Sequence, residues 1–295
     1  MTASHAPRAL LVARYAVKGF REELHPRDGH GRFARKPGAG LARVGLSDGG
    51  GRPPARPAAP GSPGMRDARR FTSDEDAVAW ADEYLEPPVL EEDEVDAVLD
   101  YTGDYYEDIN GALRALDDTG EEPDVWTQDR IDAVRSAISQ SSAPEPFVVF
   151  RGSPPRILES MIGELGEPDD DVRVQQLVGR TFHVPTFHST SIGAKSYFEY
   201  SPVQWMIKIP EGQNCLWLEG DLTQTSGERE VLLPDNTRRV IHAVYRNPVD
   251  PADKRWYVEA EVVPNDWKPG PDWVPQPFGD AYVGYLGRSR SSAAT

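Results

Sequence analysis

The run Pro146-Phe147-Val148-Val149-Phe150-Arg151-Gly152 is where the texture of this chain changes, and the change decides the fold class. Four consecutive apolar residues, β-branched or aromatic throughout, read as a buried strand. Upstream of it, apolar positions recur at helical spacing. Order is expected from Phe71, where Thr72 and Glu75 make a capping-box pair and Ala77, Val78, Trp80 and Tyr84 share a face. Pro87-Pro88 ends that helix. A second helix is predicted over 91–102, with Val95, Val98 and Leu99 turned inward and Gly103 at the stop. A third runs through Tyr106, Ile109 and Leu113. A fourth covers 127–140, with Ile131, Val134 and Ile138 on one side. Downstream come a short helix around 155–164, an acidic loop at 167–171 and then strand-like runs at 180–184, 186–191, 203–209, 214–219, 229–233, 238–245 and 256–263. Helices first and strands after predict an α+β domain.

Outward from this core the composition sets limits. The 295 residues are enough to bury a sizeable core, and no run of about 18 uncharged apolar residues suggests a membrane span. The apolar run at 9–17 is short and broken by Arg14, so no signal peptide is read there. Residues 1–70 carry 14 Lys and Arg against 5 Asp and Glu, a balance of +9. Residues 71–295 carry 18 against 43, a balance of −25. This split predicts a basic arm (1–36, with at most a marginal helix near 8–23), a disordered linker rich in Pro, Gly, Ala and Arg (37–70), an acidic globular domain (71–264) and a proline-rich tail (265–295) that wraps or hangs loose. An acidic body repels nucleic acid and attracts basic protein surfaces.

Three short elements fall in one order: Phe150-Arg151-Gly152 at a strand end, Ser189-Thr190-Ser191 after Phe187-His188, and Glu228-Arg229-Glu230 opening Val231-Leu232-Leu233. Taken singly each is ordinary: a solvated edge arginine, a serine-rich turn, the wet face of a strand. Taken together they make chemistry. Cleaving a nitrogen–ribose bond builds positive charge on the sugar, as glycoside cleavage does, and a fixed carboxylate answers that charge. An arginine fork suits a pyrophosphate. A serine on a neighbouring strand can hold the carboxylate's rotamer, and a second carboxylate two residues earlier, expected on the same strand face, can orient and deprotonate a nucleophile.

The order and spacing resemble the arginine, Ser-Thr-Ser and Glu-x-Glu motifs of ADP-ribosyltransferases related to the binary and cholera-type toxins. Ser189 follows Arg151 by 38 residues and Glu230 follows Ser191 by 39. Tyr101-Thr-Gly-Asp-Tyr-Tyr106 and Ile109-Asn110-Gly111-Ala-Leu113-Arg114 are similar to the helical segment that precedes the first catalytic strand in that family. The likeness covers about residues 71–263. It implies a helical lead-in followed by two packed, mainly antiparallel β-sheets, with NAD as co-substrate, no metal and nicotinamide as leaving group. It implies that Arg151 binds the NAD phosphate or nicotinamide-side ribose, and that Gly152 lets its backbone meet the nicotinamide amide. Ser189 would hold Glu230, with Thr190 beside it. Glu230 would stabilise the oxocarbenium and Glu228 handle the acceptor. Phe198 or Tyr197, in the segment 195–202, would stack over the nicotinamide. A glutamate at 228 resembles arginine-modifying members, whereas a glutamine would resemble asparagine-modifying ones. The acceptor loop, 221–227, lacks the aromatic residue that toxin relatives often carry there.

Other candidates are weaker. His25, His30 and Cys215 are too dispersed for a metal site, and His183 and His188 read as ordinary strand residues. Asp169-Asp170-Asp171 reads as a solvated loop. No dinucleotide-fold or phosphate-loop glycine pattern occurs. His25-Pro26-Arg27-Asp28-Gly-His-Gly31-Arg32-Phe33 resembles a segment of tailed-phage head polypeptides, beside the plainer reading of a basic tail. The expectation is a mono-ADP-ribosyltransferase acting in a host cytoplasm, packaged in a virion, on a host protein with an accessible arginine, with phage head proteins as partners of the arm. The alternatives are an inactive virion scaffold or an NAD glycohydrolase.

Overall fold

Ser73, rather than Thr72, caps the first helix: its hydroxyl accepts from the Asp76 amide at 3.0 Å. That helix, α1 (Asp74–Tyr84), opens the ordered body in a computed structural model that describes residues 63–85, 88–166, 170–218, 220–225 and 227–279. The helix expected at 8–23, the head-like segment 25–33 and the linker up to residue 62 lie outside these residues. The helical lead-in continues as α2 (Glu92–Thr102), α3 (Tyr106–Thr119) and α4 (Val125–Ser139). The buried face of α2 is Glu94, Ala97, Val98 and Tyr101, not the predicted Val95-Val98-Leu99 face. Glu94 causes the rotation. Its carboxylate caps the Glu91 amide and accepts from Ser136 at 2.6 Å and Gln140 at 2.8 Å on α4, so a charged residue turns inward.

The strands follow as β1 (Phe147–Ser153), β2 (Thr181–Val184), β3 (His188–Ser191), β4 (Val203–Ile209), β5 (Leu216–Leu218), β6 (Glu230–Leu233), β7 (Thr237–Arg246) and β8 (Trp256–Val263), with α5 (Arg156–Ile162) and α6 (Asp170–Gln175) after β1. The α+β class holds, and the pairing is antiparallel except between β4 and β8. The two expected sheets are joined into one ladder of order β2-β7-β8-β4-β1-β3-β6-β5. The joint is thin: β1 and β3 share the single register pair Phe150–Ser191, after which the strands part.

Both faces of these strands are covered, which is why they read as unbroken apolar runs. On one face Phe147, Val149, Trp205, Ile207, Val231 and Leu233 pack with Trp80 of α1, Leu158 and Val174. On the other face of β3, β5 and β6, Leu232, Leu216 and Leu218 meet α2–α4 through Val98, Ile109, Ile131 and Val134. The remaining face of β1, β4 and β8 is covered by chain that composition alone assigned to a linker and a tail. Met65 and Phe278 pack on Val148, Phe150, Met206 and Tyr257, and Arg69 donates its amide to the Pro146 carbonyl. Residues 63–70 therefore belong to the body; one inserted methionine outweighs the Pro/Gly-rich composition around it. Asp170 is likewise a correction. It is buried at the start of α6, accepts from the Gly166 amide and pairs with Arg173 at 3.0 Å.

Buried charge fixes these outer straps. Lys208, 5% exposed, reaches Asp67 at 2.5 Å and Glu261 at 3.1 Å, while His242 meets Glu261 at 3.1 Å and the Phe278 amide donates to Glu259 at 2.7 Å. Lys208→Ala strips the buried Glu261 carboxylate of its ammonium partner and leaves it the His242 contact. The expected cost is about 3–5 kcal/mol, read as a lower midpoint in urea denaturation.

Candidate active site

Where β1 and β3 part, the motif residues meet. The Arg151 guanidinium donates from Nη1 to the Ser189 carbonyl at 2.5 Å, locking the arginine across the opening. Ser189 and Ser191 lie opposite Leu232 and Glu230 in the β3–β6 ladder, so all four side chains point to the face that carries α2–α4. There the Ser189 hydroxyl stands beside the Glu230 carboxylate and favours its ionised form. The same hydroxyl oxygen is 3.4 Å from the Tyr101 hydroxyl, which accepts from Asn110 Nδ2 at 3.1 Å. A chain of contacts thus runs from Asn110 on α3 through Tyr101 on α2 to Ser189 and Glu230. The helical lead-in reaches the carboxylate through Ser189.

Burial governs the electrostatics. Glu230 is 6% exposed, and its burial pushes the carboxyl up to about 7; nearby Glu228 pushes the same way, while Ser189 and Arg151 pull against it. Glu228 is also raised, again by burial. Burial lowers Arg151 and takes Arg239 down to about 9, with Arg151 adding like-charge repulsion to the latter. His188 is held well below its usual range by burial and by those two cations, so it is neutral near pH 7. Arg239 reaches from β7 to His188 Nδ1 at 2.5 Å. Two guanidiniums therefore flank the His188–Ser189 stretch of β3, and each has a buried Nε without a hydrogen-bond partner among the described residues, as does Asn110 Oδ1. Buried, under-used cations fit an anionic dinucleotide.

Two motif residues sit off the Ser189–Glu230 face. Thr190 faces the opposite side of β3, where it is buried and donates to the Val231 carbonyl at 2.6 Å. Glu228 does not share a strand face with Glu230, because β6 begins at Glu230 and Arg229 lies in the left-handed region at φ 53°. Such a residue costs roughly 1–2 kcal/mol unless it is glycine, and here it turns Glu228 into the adjoining turn. Phe198, half-exposed, lies over Gly152: a Cβ there would sit 2.5 Å from the Phe198 carbonyl and 2.5 Å from Ser201 Oγ. Glycine at 152 is what lets this segment close on β1. The loop before β6 is tied back to α2, where Gln224 donates to the Leu99 carbonyl at 2.9 Å.

A family model described as ADP-ribosyltransferase exoenzyme matches residues 77–265. The chain belongs to that family. Among its relatives is the epidermal cell differentiation inhibitor of Staphylococcus aureus, 26% identical over an alignment of 196 residues that covers 60% of this chain and 78% of the relative. The fold is similar to that of the Clostridium limosum C3 exoenzyme (TM-score 0.59, 22% identity, 67% of this chain and 98% of that one). It is also similar to that of C3stau2 from S. aureus, solved with NAD (TM-score 0.58, 20% identity, 67% and 99%).

For an ADP-ribosyltransferase of this family the sequence motifs located Arg151, Ser189 and Glu230 in one place. Motif spacing did not assign roles to Tyr101 and Asn110, although both stand in the helical segment that carried the resemblance. It missed the Arg239–His188 pair, whose only local signal is an arginine directly before the apolar pair Val240-Ile241.

If Glu230 must be ionised to act, kcat/KM for nicotinamide release rises with pH through a limb near 7. Stability moves the other way. The folded state holds a proton on Glu230 that the unfolded chain releases from its ordinary value of 4.5, so this stabilising contribution is complete below that value and fades as pH rises through about 7. A pH–rate profile beside a pH–Tm profile checks both signs, and Glu230→Gln should flatten each.

Proposed function

We propose that this transferase moves ADP-ribose from NAD onto an arginine side chain of a basic protein surface, releasing nicotinamide. The observation that carries the reading is the second carboxylate, Glu228, held in the turn beside Glu230 and close enough to raise it. The charge of −25 over residues 71–295 agrees with a basic acceptor.

The residues divide the work. Arg151, with Arg239 behind it, offers positive charge to the pyrophosphate. Glu230, fixed by Ser189, faces the ribose, where its ionised carboxylate stabilises the positive charge that grows as the bond to nicotinamide breaks. Nicotinamide leaves with the bonding electron pair as a neutral molecule. A guanidino nitrogen of the acceptor forms the new bond to the same ribose carbon, and Glu228 takes the proton that this nitrogen sheds. Phe198 and its neighbours cover the nicotinamide side and limit water.

The purified protein is incubated with NAD and two peptides, one offering arginine and one offering asparagine, and the products are read by fragmentation mass spectrometry. ADP-ribose on the guanidino group is the expected result. Modification of the carboxamide alone would replace arginine with asparagine as acceptor. Release of nicotinamide with free ADP-ribose and no adduct would make the protein a glycohydrolase.

A further inference from the structure

Arg229 lies between the two carboxylates of the Glu-x-Glu element and has no part in the chemistry above. Its side chain turns away from them. Nε donates to the Ile192 carbonyl at 2.9 Å, and Nη1 stands 3.2 Å from Asp74 Oδ2. The same carboxylate accepts the Ala194 amide through Oδ1 at 2.9 Å. The Ile192 amide in turn donates to the Arg229 carbonyl at 2.9 Å. Gly193 sits in the middle at φ 151°, where a Cβ would lie 2.5 Å from Asp74 Oδ1 and 3.1 Å from Arg229 Nε. Three separate pieces of chain meet here: the first turn of α1, the root of the segment that folds over Gly152, and the turn that presents Glu228.

We propose that Arg229 and Asp74 form a clasp that sets the covering segment 193–202 and the Glu228–Glu230 turn as one unit, making both positioning residues for NAD cleavage. The physical case is the left-handed backbone of Arg229. Glycine would adopt it without strain; the arginine bears that backbone cost, and its fork reaches both Ile192 and Asp74. The fork is largely buried, 14% exposed, against 34% for its partner Asp74. Glu228 adjoins Arg229 in the chain, and Phe198 follows Ala194 by four residues. Neither can be placed independently of the clasp.

The proposal rests on the site's reading as an NAD-cleaving one, and the test separates the two. Arg229→Gly, Asp74→Asn and their double variant are compared with the wild type by nicotinamide-release kinetics, by Tm and by hydrogen exchange read on peptides covering 193–202 and 227–230. Arg229→Gly relieves the backbone and should leave Tm unchanged or higher. It should lower kcat/KM for NAD roughly 30–100-fold, with KM raised and kcat lowered together. Exchange in both segments should speed up in each single variant, and the double variant should be no worse than the poorer single one. Gly193→Ala, which forces the clasp open from the other side, should reproduce the effect. Normal kinetics in Arg229→Gly, effects of the two singles that multiply, or faster exchange in one segment alone would overturn the clasp. Coupled exchange in a wild type that releases no nicotinamide would uphold the clasp and sink the chemistry.

Discussion

Glu230→Gln is expected to lower kcat for nicotinamide release by about 10²–10³-fold, with little change in the dissociation constant for NAD. Glutamine keeps the shape and can still meet Ser189, but it cannot supply the negative charge that the developing oxocarbenium requires. The protein should not lose stability in exchange. Glu230 is nearly fully buried and its carboxyl is raised to about 7 by that burial, so above pH 7 the wild type holds a charge that the fold disfavours. The variant should match or exceed the wild-type Tm at pH 8. A large activity loss beside an unchanged or higher Tm is the signature of a catalytic carboxylate. A variant that keeps its kcat would remove Glu230 from the mechanism.

Glu228→Gln should separate transfer from cleavage. Glu228 is half-buried and lies in the turn before β6, and the proposed function gives it the acceptor's proton. Without its carboxylate the incoming guanidinium keeps its proton and cannot attack. Transfer to an arginine peptide is expected to fall about 10²–10⁴-fold, while nicotinamide release without an acceptor falls by less than about tenfold. The measurement is the ratio of peptide adduct to free ADP-ribose. If both products fall in step, Glu228 serves NAD cleavage and the acceptor base lies elsewhere.

These two expectations use residues that were legible in the sequence, and the reason is chemical. Cleaving a ribose bond while holding a pyrophosphate needs a carboxylate, a hydroxyl and an arginine, and each appeared in a short motif at a strand edge. The strands themselves were legible because their apolar runs are covered on both faces; the runs at 203–209 and 256–263 match β4 and β8 at both ends. The inward face of α2 was misread because Glu94 is buried through partners on α4, and no periodicity within one helix can reveal a bond to another. Residues 63–70 were misread for the same reason: Met65 is buried only because β1 and β4 offer it a surface.

The sequence by itself determined the α+β class, the order of helices before strands and the three elements that carry the chemistry, since propensity, apolar period and motif spacing are local properties. Tertiary structure decided which side of each element faces the cleft. It put Thr190 on the far face of β3, turned Glu228 off the strand through the left-handed Arg229, and brought Tyr101, Asn110, His188 and Arg239 to a place where β1 and β3 share one pair and then diverge. Strand divergence, burial and charge pairing arise between residues far apart in the chain, and only the packed molecule sets them.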